Sequence, residues 1–391
     1  MSYFHWIVGG LLGLVWLSRL VGAGLGMRRL ADLSQAQWDR TPATPSGDPG
    51  VSIIVPARNE EDHIEQTLVQ LLQLDYANYE VLAVNDRSTD RSGEVMNRVA
   101  AMPEAHGRLK VIHIGELPFG WLGKAHAMWT AATEARGDWL LFTDADVLFQ
   151  SDSVRRAVAC AESERADHFV LFPRLIMKGP GERMMIAFFQ TLFVFGHRPW
   201  RVAHPAAKDH MGVGAFNLVR RRVYDAVGTY RALRMEVVDD MKLGKIIKEA
   251  GYAQRNAFGE DLISIRWARG AMGVVDNLTK NFFAILSFQW WRAVGSVAGL
   301  AFLNLGPFLG VWLAHGGARA GYGLALLSLF AIYVGMSWKS DIPPYYFLLH
   351  PIATALFMYT LLRSMILTLS QGGVSWRGTF YPLEELKKGI V

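Results

Sequence analysis

The chain is almost without cysteine. Cys160 is the single one in 391 residues, which excludes an internal disulfide framework and any cysteine-ligated zinc or iron–sulfur centre. Charge is scarce as well, at 19% of residues against 51% hydrophobic. That balance excludes a disordered chain, a collagen-like repeat and a coiled coil. There is no P-loop motif and no Gly-x-Gly-x-x-Gly after the first expected strand, so the familiar ATPase and dinucleotide readings lose their signature. No basic stripe interleaves with aromatics either. The net charge of +5 and a pI near 9.2 therefore do not point to nucleic acid. Arg28, Arg29 and the Arg220, Arg221, Arg222 triplet lie instead near expected membrane or phosphate-facing stretches.

What is abundant is apolar sequence, unevenly placed. Residues 7–25 carry no charge except Arg19, and Arg28 and Arg29 follow at once. This predicts a membrane anchor with a cytoplasmic flank. A cleaved signal peptide is the competing reading, weakened because no Lys or Arg precedes the run. Residues 294–314, 320–338 and 346–369 form three further runs long enough to span a bilayer core of roughly 20 residues. Asn304, His350 and Arg363 lie inside them and should face other helices or water. Residues 184–195 and 282–291 are shorter and aromatic, and read as interfacial helices; a buried core helix is the alternative for the first. Pro42, Pro45, Gly47, Pro49 and Gly50 mark a linker over 41–50. One span before the α/β stretch and three after it would place the tail from Gln371 outside, whereas Arg377, Lys387 and Lys388 favour inside.

Between the apolar regions the sequence alternates short β-branched runs with amphipathic helices. Residues 51–55 predict a buried strand stopped by Pro56. A helix with Ile64, Leu68, Leu71 and Leu72 on one face follows, with Asn59 as the expected N-cap. Further strands are expected at 80–84, 109–114 and 139–143, and a helix at 123–135. This alternation implies a mostly parallel sheet. Ligands of such sheets bind outside the carboxyl ends of the strands. The polar residues Arg58, Asn59, Glu60, Asp86, Asp144 and Asp146 all fall at those ends. A lone Asp after a strand is more often a turn or cap, but three clusters on one edge are harder to assign that way.

Asp144 and Asp146 flank one alanine, and hard divalent cations take one or two carboxylates plus substrate phosphates. The pair suggests a metal–diphosphate site. Asp239-Asp240 precedes a helix carrying Leu243, Ile246 and Ile247. Its structural role would be an N-cap with dipole compensation; its chemical role would be a base that takes the proton of a hydroxyl.

Four blocks, Val51-Ser-Ile-Ile-Val-Pro-Ala-Arg-Asn-Glu60, Val84-Asn-Asp-Arg-Ser-Thr-Asp90, Phe142-Thr-Asp-Ala-Asp146 and Val238-Asp-Asp-Met-Lys-Leu243, resemble in order and spacing the family 2 glycosyltransferases. Among these the chain is similar to membrane-bound members, the ceramide glucosyltransferase-like and hopanoid- or carotenoid-associated enzymes. The resemblance implies a GT-A, Rossmann-like α/β fold: a mostly parallel sheet with helices on both faces, plus N-terminal and C-terminal transmembrane helices. It divides the chain into an anchor (1–30), a linker (31–50), the GT-A domain (51–275), an interfacial segment (276–293), a transmembrane region (294–370) and a tail (371–391).

By position, the resemblance assigns Pro56, Ala57, Arg58, Glu60 and Asp86 to the donor nucleotide, and Asp144 and Asp146 to Mg²⁺ or Mn²⁺ and the diphosphate. Asp240, with Asp239 beside it, is the implied base. Lys124, in Gly120-Trp-Leu-Gly-Lys-Ala125, is a candidate phosphate contact or else a solvated helix-start lysine. Gly212, Gly214 and Phe216 would line the acceptor side, the glycines for close backbone approach. Arg266-Trp267 partly matches the family's Gln-x-x-Arg-Trp pyrophosphate motif, although Ile263 stands where Gln belongs; Gln289-Trp-Trp-Arg292 is a second partial match. The implied reaction transfers a sugar from a nucleotide-sugar donor, UDP-linked by family analogy, with inversion to a lipid or lipid-linked acceptor. The expected location is the cytoplasmic face of the inner membrane, in a multi-pass protein. A processive polysaccharide synthase and a catalytically dead scaffold of the same shape are the alternatives, and a GT-A-like nucleotidyltransferase is a remote one.

Overall fold

A computed structural model describes residues 2–42 and 47–389. Residues 43–46 of the expected linker, Pro45 among them, lie outside the described residues. The chain forms two compact units.

The first unit comprises residues 1–29, 177–200 and 267–374 and is helical. Four of its helices, Tyr3–Arg29, Trp290–Leu313, Gly316–Ser337 and Pro344–Gln371, are long and apolar enough to cross a membrane. Two residues separate the second of the four from the third, and the second is interrupted by a π-turn at Ala301–Leu305 just before Pro307. A proline after that turn leaves backbone groups without helical partners. The polar residues within these runs do face other helices. His350 Nε2 and Asn304 Oδ1 are 3.1 Å apart, and His350 Nδ1 and the Tyr333 hydroxyl 3.0 Å. Arg363 donates to Asp276 at 2.8 Å.

The two shorter aromatic stretches have different fates. Residues 184–195 fall inside helix Pro180–Gly196, where Met185, Ile186, Ala187 and Phe188 are buried and Phe188 packs against Phe357; this is the packing of the core-helix alternative. Residues 282–291 are not one helix at all. Helix Gly270–Ile285 ends there, Ser287 and Phe288 take positive φ, and a new helix starts at Trp290.

The second unit comprises residues 30–176, 201–266 and 375–391. Its strands are β1 (Ala31–Asp32), β2 (Val51–Ala57), β3 (Tyr79–Asp86), β4 (Leu109–Ile114), β5 (Trp139–Phe142), β6 (Val147–Phe149), β7 (His168–Phe172), β8 (Arg174–Leu175), β9 (Asn217–Arg220), β10 (Gln254–Phe258), β11 (Ile263–Ile265) and, near the carboxyl end, β12 (Gly373–Trp376) and β13 (Thr379–Pro382). Eight of them form one sheet in the order β1-β10-β7-β9-β5-β2-β3-β4. Every neighbouring pair is parallel except those of β9, which runs against both β5 and β7. The β-branched run of β2 is buried throughout its first five residues, as a strand covered on both faces must be.

Pro56 does not stop β2. Pairing with β5 ends at Ile54, whereas pairing with β3 continues to Ala57, so Pro56 sits where the strand has one neighbour and its missing N–H is tolerated. Asn59 is not a helix cap either: the helix is Ile64–Leu72, and Asn59, at φ +54, accepts a bond from the Thr89 amide at 2.8 Å.

Candidate active site

Topology brings the polar clusters to one rim of the sheet. β2 ends at Ala57, level with Asn85 of β3, and Ile54 is level with the end of β5 at Phe142. Glu60, Asp86, Asp144 and Asp146 therefore follow the carboxyl ends of adjacent strands. Because β9 is antiparallel to β5, its amino end lies at this same rim, and the loop 211–216 arrives with it. Thr143 Oγ1 holds that loop by donating to the Ala215 carbonyl at 2.7 Å.

The side chains then interlock. Lys124, in the first turn of helix Gly123–Glu134, donates from Nζ to Asp144 Oδ1 at 2.6 Å; it is not a solvated lysine. Its neighbour Gly123 abuts Asp86: a Cβ there would lie 2.5 Å from Asp86 Oδ2. On the other side, Gly214 lies between two acids. Its amide donates to Asp240 Oδ2 at 2.9 Å, and a Cβ there would stand 2.7 Å from Asp144 Oδ2. Asp86, Lys124, Asp144 and Asp240 are thus linked through two glycines that permit the close approach. Gly212 is tighter still, since a Cβ would fall 1.8 Å from the Asp240 carbonyl oxygen.

Asp239 and Asp240 occupy the first turn of helix Asp239–Glu249, with Val238 at the cap position. They therefore complement the helix dipole without capping. Asp239 is buried and paired with the Tyr230 hydroxyl. Asp240 also accepts from the Met241 amide at 2.7 Å.

The electrostatics follow from this crowding. Burial, then the neighbouring charge of Asp239, raises Asp240 to about 6, against the pull of Lys124. Asp146 is raised to about 7, by burial first and by Asp144 and Glu60 next. Burial pulls the Lys124 ammonium down, but Asp144, Asp239 and Asp240 outweigh it and hold the group charged. Among the described residues, no three of His, Cys, Asp and Glu converge to hold a metal by themselves. Two carboxylates in a field of surplus negative charge nevertheless suit a hard cation completed by phosphates.

Several functional neighbours were not singled out from the sequence. Arg87 grips both oxygens of Asp86, at 2.7 and 2.9 Å. Behind the rim runs a buried relay. Gln254 Oε1 accepts from the Met211 amide at 2.7 Å, and its Nε2 reaches His168 Nδ1 at 2.5 Å. His168 Nε2 meets Asn217 Oδ1, and Asn217 Nδ2 donates to the Asp240 carbonyl at 3.4 Å. The signal for His168 and Asn217 was a polar side chain opening a largely apolar strand. The tail also enters: Arg377 pairs with Glu60, Thr379 accepts from Arg58 Nη1 at 3.1 Å, and the Tyr381 hydroxyl accepts from the Gly123 amide at 3.2 Å.

Other expected positions fall elsewhere. Phe216 is fully buried, 6.3 Å from the ring of Phe149; it is a core residue and does not line an acceptor surface, because the last residue before β9 points into the sheet's apolar layer. Arg266 follows β11, and the Trp267 ring packs on Phe189 at 4.9 Å. Trp290 and Trp291 are exposed, with Arg292 over Trp291. Pro56 and Ala57 close β2, Ala57 buried.

Residues 52–238 match the model of the family described as glycosyl transferase family 2. This chain contains a family 2 glycosyltransferase domain. The match ends two residues before Asp240. The chain is 22% identical over 354 residues to the 4,4'-diaponeurosporenoate glycosyltransferase of Staphylococcus aureus (strain USA300), covering 86% of this chain and 89% of that protein. With the enzyme of the same name from Staphylococcus haemolyticus (strain JCSC1435), it shares 22% over 236 residues, which span 59% of this chain and only 60% of that protein. The family 2 domain and its helices also resemble the mannosyltransferase PcManGT from Pyrobaculum calidifontis, solved with GDP-Man and Mn²⁺. The TM-score is 0.55 at 20% identity, over 94% of this chain and 99% of that one. The shared architecture is the GT-A fold.

Proposed function

We propose that the chain transfers a glycosyl group, with inversion, from a nucleoside-diphosphate sugar to a hydroxyl of a lipid or lipid-linked acceptor. The observation that carries this reading is the meeting of the Lys124–Asp144 pair with Asp240 across Gly214.

In this reading Glu60 and Asp86 hold the donor nucleoside, with Arg87 fixing the Asp86 carboxylate. Lys124 stays charged and counters phosphate. Asp144 and Asp146 are the residues that would hold Mg²⁺ or Mn²⁺ together with the donor phosphates; such an ion, when bound, neutralises charge on the departing nucleoside diphosphate. Asp240, raised to about 6, is ionised at neutral pH and accepts the acceptor's proton. A positioned base of this kind contributes roughly 10²–10⁴-fold. The Gly214 and Met241 amides hold both of its oxygens, so its geometry is set before the acceptor arrives.

The acceptor reading rests on the four apolar helices and on relatives named for 4,4'-diaponeurosporenoate. Topology supports a tail on the same side as the sheet. Residues 375–389 bond to Arg58, Glu60 and Gly123, so the chain leaving at Trp267 must return to the side it left. In this reading an even number of the later helices crosses, and one of the three apolar runs is re-entrant or a fourth segment joins them. The basic flank Arg28-Arg29 supports a cytoplasmic side for both.

The test is to incubate the purified protein with a panel of nucleotide sugars, Mn²⁺ and a membrane lipid extract. A single lipid species heavier by one sugar is expected. A ladder of polymers would favour a processive synthase, and no transfer from any donor would overturn the reading.

A further inference from the structure

The carboxyl-terminal segment was informative in the sequence only for the side of the membrane. In the structure it runs along the rim where the donor is proposed to lie. β12 and β13 are joined by Arg377-Gly378, both with positive φ (46° and 76°), the backbone of a two-residue type I′ hairpin turn. Glycine adopts this readily; arginine does so at a cost. A costly conformation is thus kept at the tip, and it carries a permanently charged group.

The tip meets two expected donor residues, Arg58 and Glu60. Arg377 donates to the Arg58 carbonyl and pairs with Glu60. Glu60 follows β2 on the same rim as Asp144 and Asp146, so Arg377 stands at that rim. Thr379 accepts from Arg58. Tyr381 is buried, accepts from the Gly123 amide and bonds Arg87, the partner of Asp86. It thus stands at the nucleoside end. Past the hairpin, Leu386 is buried, and Gly389 passes so close to Met235 that a Cβ would lie 2.4 Å from that side chain. The segment is anchored at both ends and is no loose tail.

We infer that this hairpin is a wall of the donor site, with Arg377 a donor-binding residue for the diphosphate and Tyr381 a positioning residue that orders the Asp86–Arg87 corner. The inference rests on the nucleotide-donor reading above. The Arg377 side chain is 44% exposed while that of its Glu60 partner is 14% exposed, so Arg377 retains free surface for an incoming ligand. A guanidinium's planar donors suit phosphate better than any other side chain.

Calorimetry on the full-length protein in detergent, titrated with UDP, GDP, CDP and dTDP in Mn²⁺, tests this. Wild type binds one of the four, and Asp146→Asn abolishes that binding. Arg377→Ala then weakens the same nucleotide by at least about tenfold, Arg377→Lys recovers part of the loss, and Tyr381→Phe weakens binding less. Arg377→Gln carries the test if Arg377→Ala fails to fold. Unchanged or tighter binding in the Arg377 variants, with Asp146→Asn still silent, overturns the hairpin's role and leaves the donor reading intact. Tighter binding would mark the hairpin as a plug. A wild type that binds none of the four overturns both.

Discussion

Gly212 and Gly214 are two residues apart in one loop, yet adding a methyl to each should fail in different ways. At Gly214 the new Cβ would stand 2.7 Å from Asp144 Oδ2 and 3.5 Å from Asp240 Oδ2. The obstacle is the end of a side chain, so the carboxylate swings aside and the Lys124–Asp144 bond of 2.6 Å is lost. The backbone is not strained, and Gly→Ala at a compatible position stabilises by about 0.4–1 kcal/mol through the unfolded chain. At Gly212 the new Cβ would fall 1.8 Å from the Asp240 carbonyl oxygen and 2.3 Å from its carbon. Backbone must move there, at the cost of overpacking, roughly 1–3 kcal/mol or more. In detergent, Gly214→Ala should melt near wild type while turnover drops by about 10²-fold, the loss that follows a misplacement of about 1 Å. Gly212→Ala should melt about 5 °C lower or more. The reasoning is refuted if Gly214→Ala turns over at the wild-type rate, or if both variants lose the same stability.

Three further outcomes are expected. Asp240→Asn should bind the donor nucleotide about as wild type does and lose roughly 10²–10⁴-fold in turnover; full activity would remove Asp240 as the base. Asp146→Asn should lose Mn²⁺-dependent nucleotide binding by calorimetry, and unchanged heats would contradict its placement at the metal. His168 is lowered from 6.5 to about 4, by burial and against the bond its Nε2 donates to Asn217 Oδ1. The unfolded chain therefore takes up its proton first as pH falls below 6.5, and stability is lost between there and about pH 4. That amounts to about 2 kcal/mol between pH 7 and pH 5. Chemical denaturation should show this slope in wild type and a shallower one in His168→Gln; equal slopes would refute it.

The strands at 51–57, 79–86, 109–114 and 139–142 were legible because their residues are apolar or β-branched and sharply bounded, and period and length suffice to place such runs. The acids at their ends were legible for the same reason: a charged residue directly after a buried run has one place to go. Asn59 and Pro56 were misread because both are local signals overruled by neighbours, the Thr89 amide in one case and the unpaired side of β2 in the other. Phe216 was assigned to the acceptor side by the resemblance of its segment, and only burial revealed it as core. Residues 184–195 were left between an interfacial and a core helix because apolar composition does not distinguish a membrane surface from the partner Phe357.

The order of the apolar segments, the parallel α/β alternation and the placement of Glu60, Asp86, Asp144 and Asp146 at strand ends are properties of local pattern, and the amino-acid sequence determined them alone. Three things waited for the tertiary structure. The antiparallel insertion of β9 sets Gly214 between Asp144 and Asp240; the polar relay through His168 stands behind Asp240; the carboxyl-terminal hairpin lies on Glu60 and Gly123. Each joins residues tens to hundreds of positions apart. Such pairings are decided by packing and hydrogen-bond satisfaction across the whole sheet, and no periodicity in the chain records them.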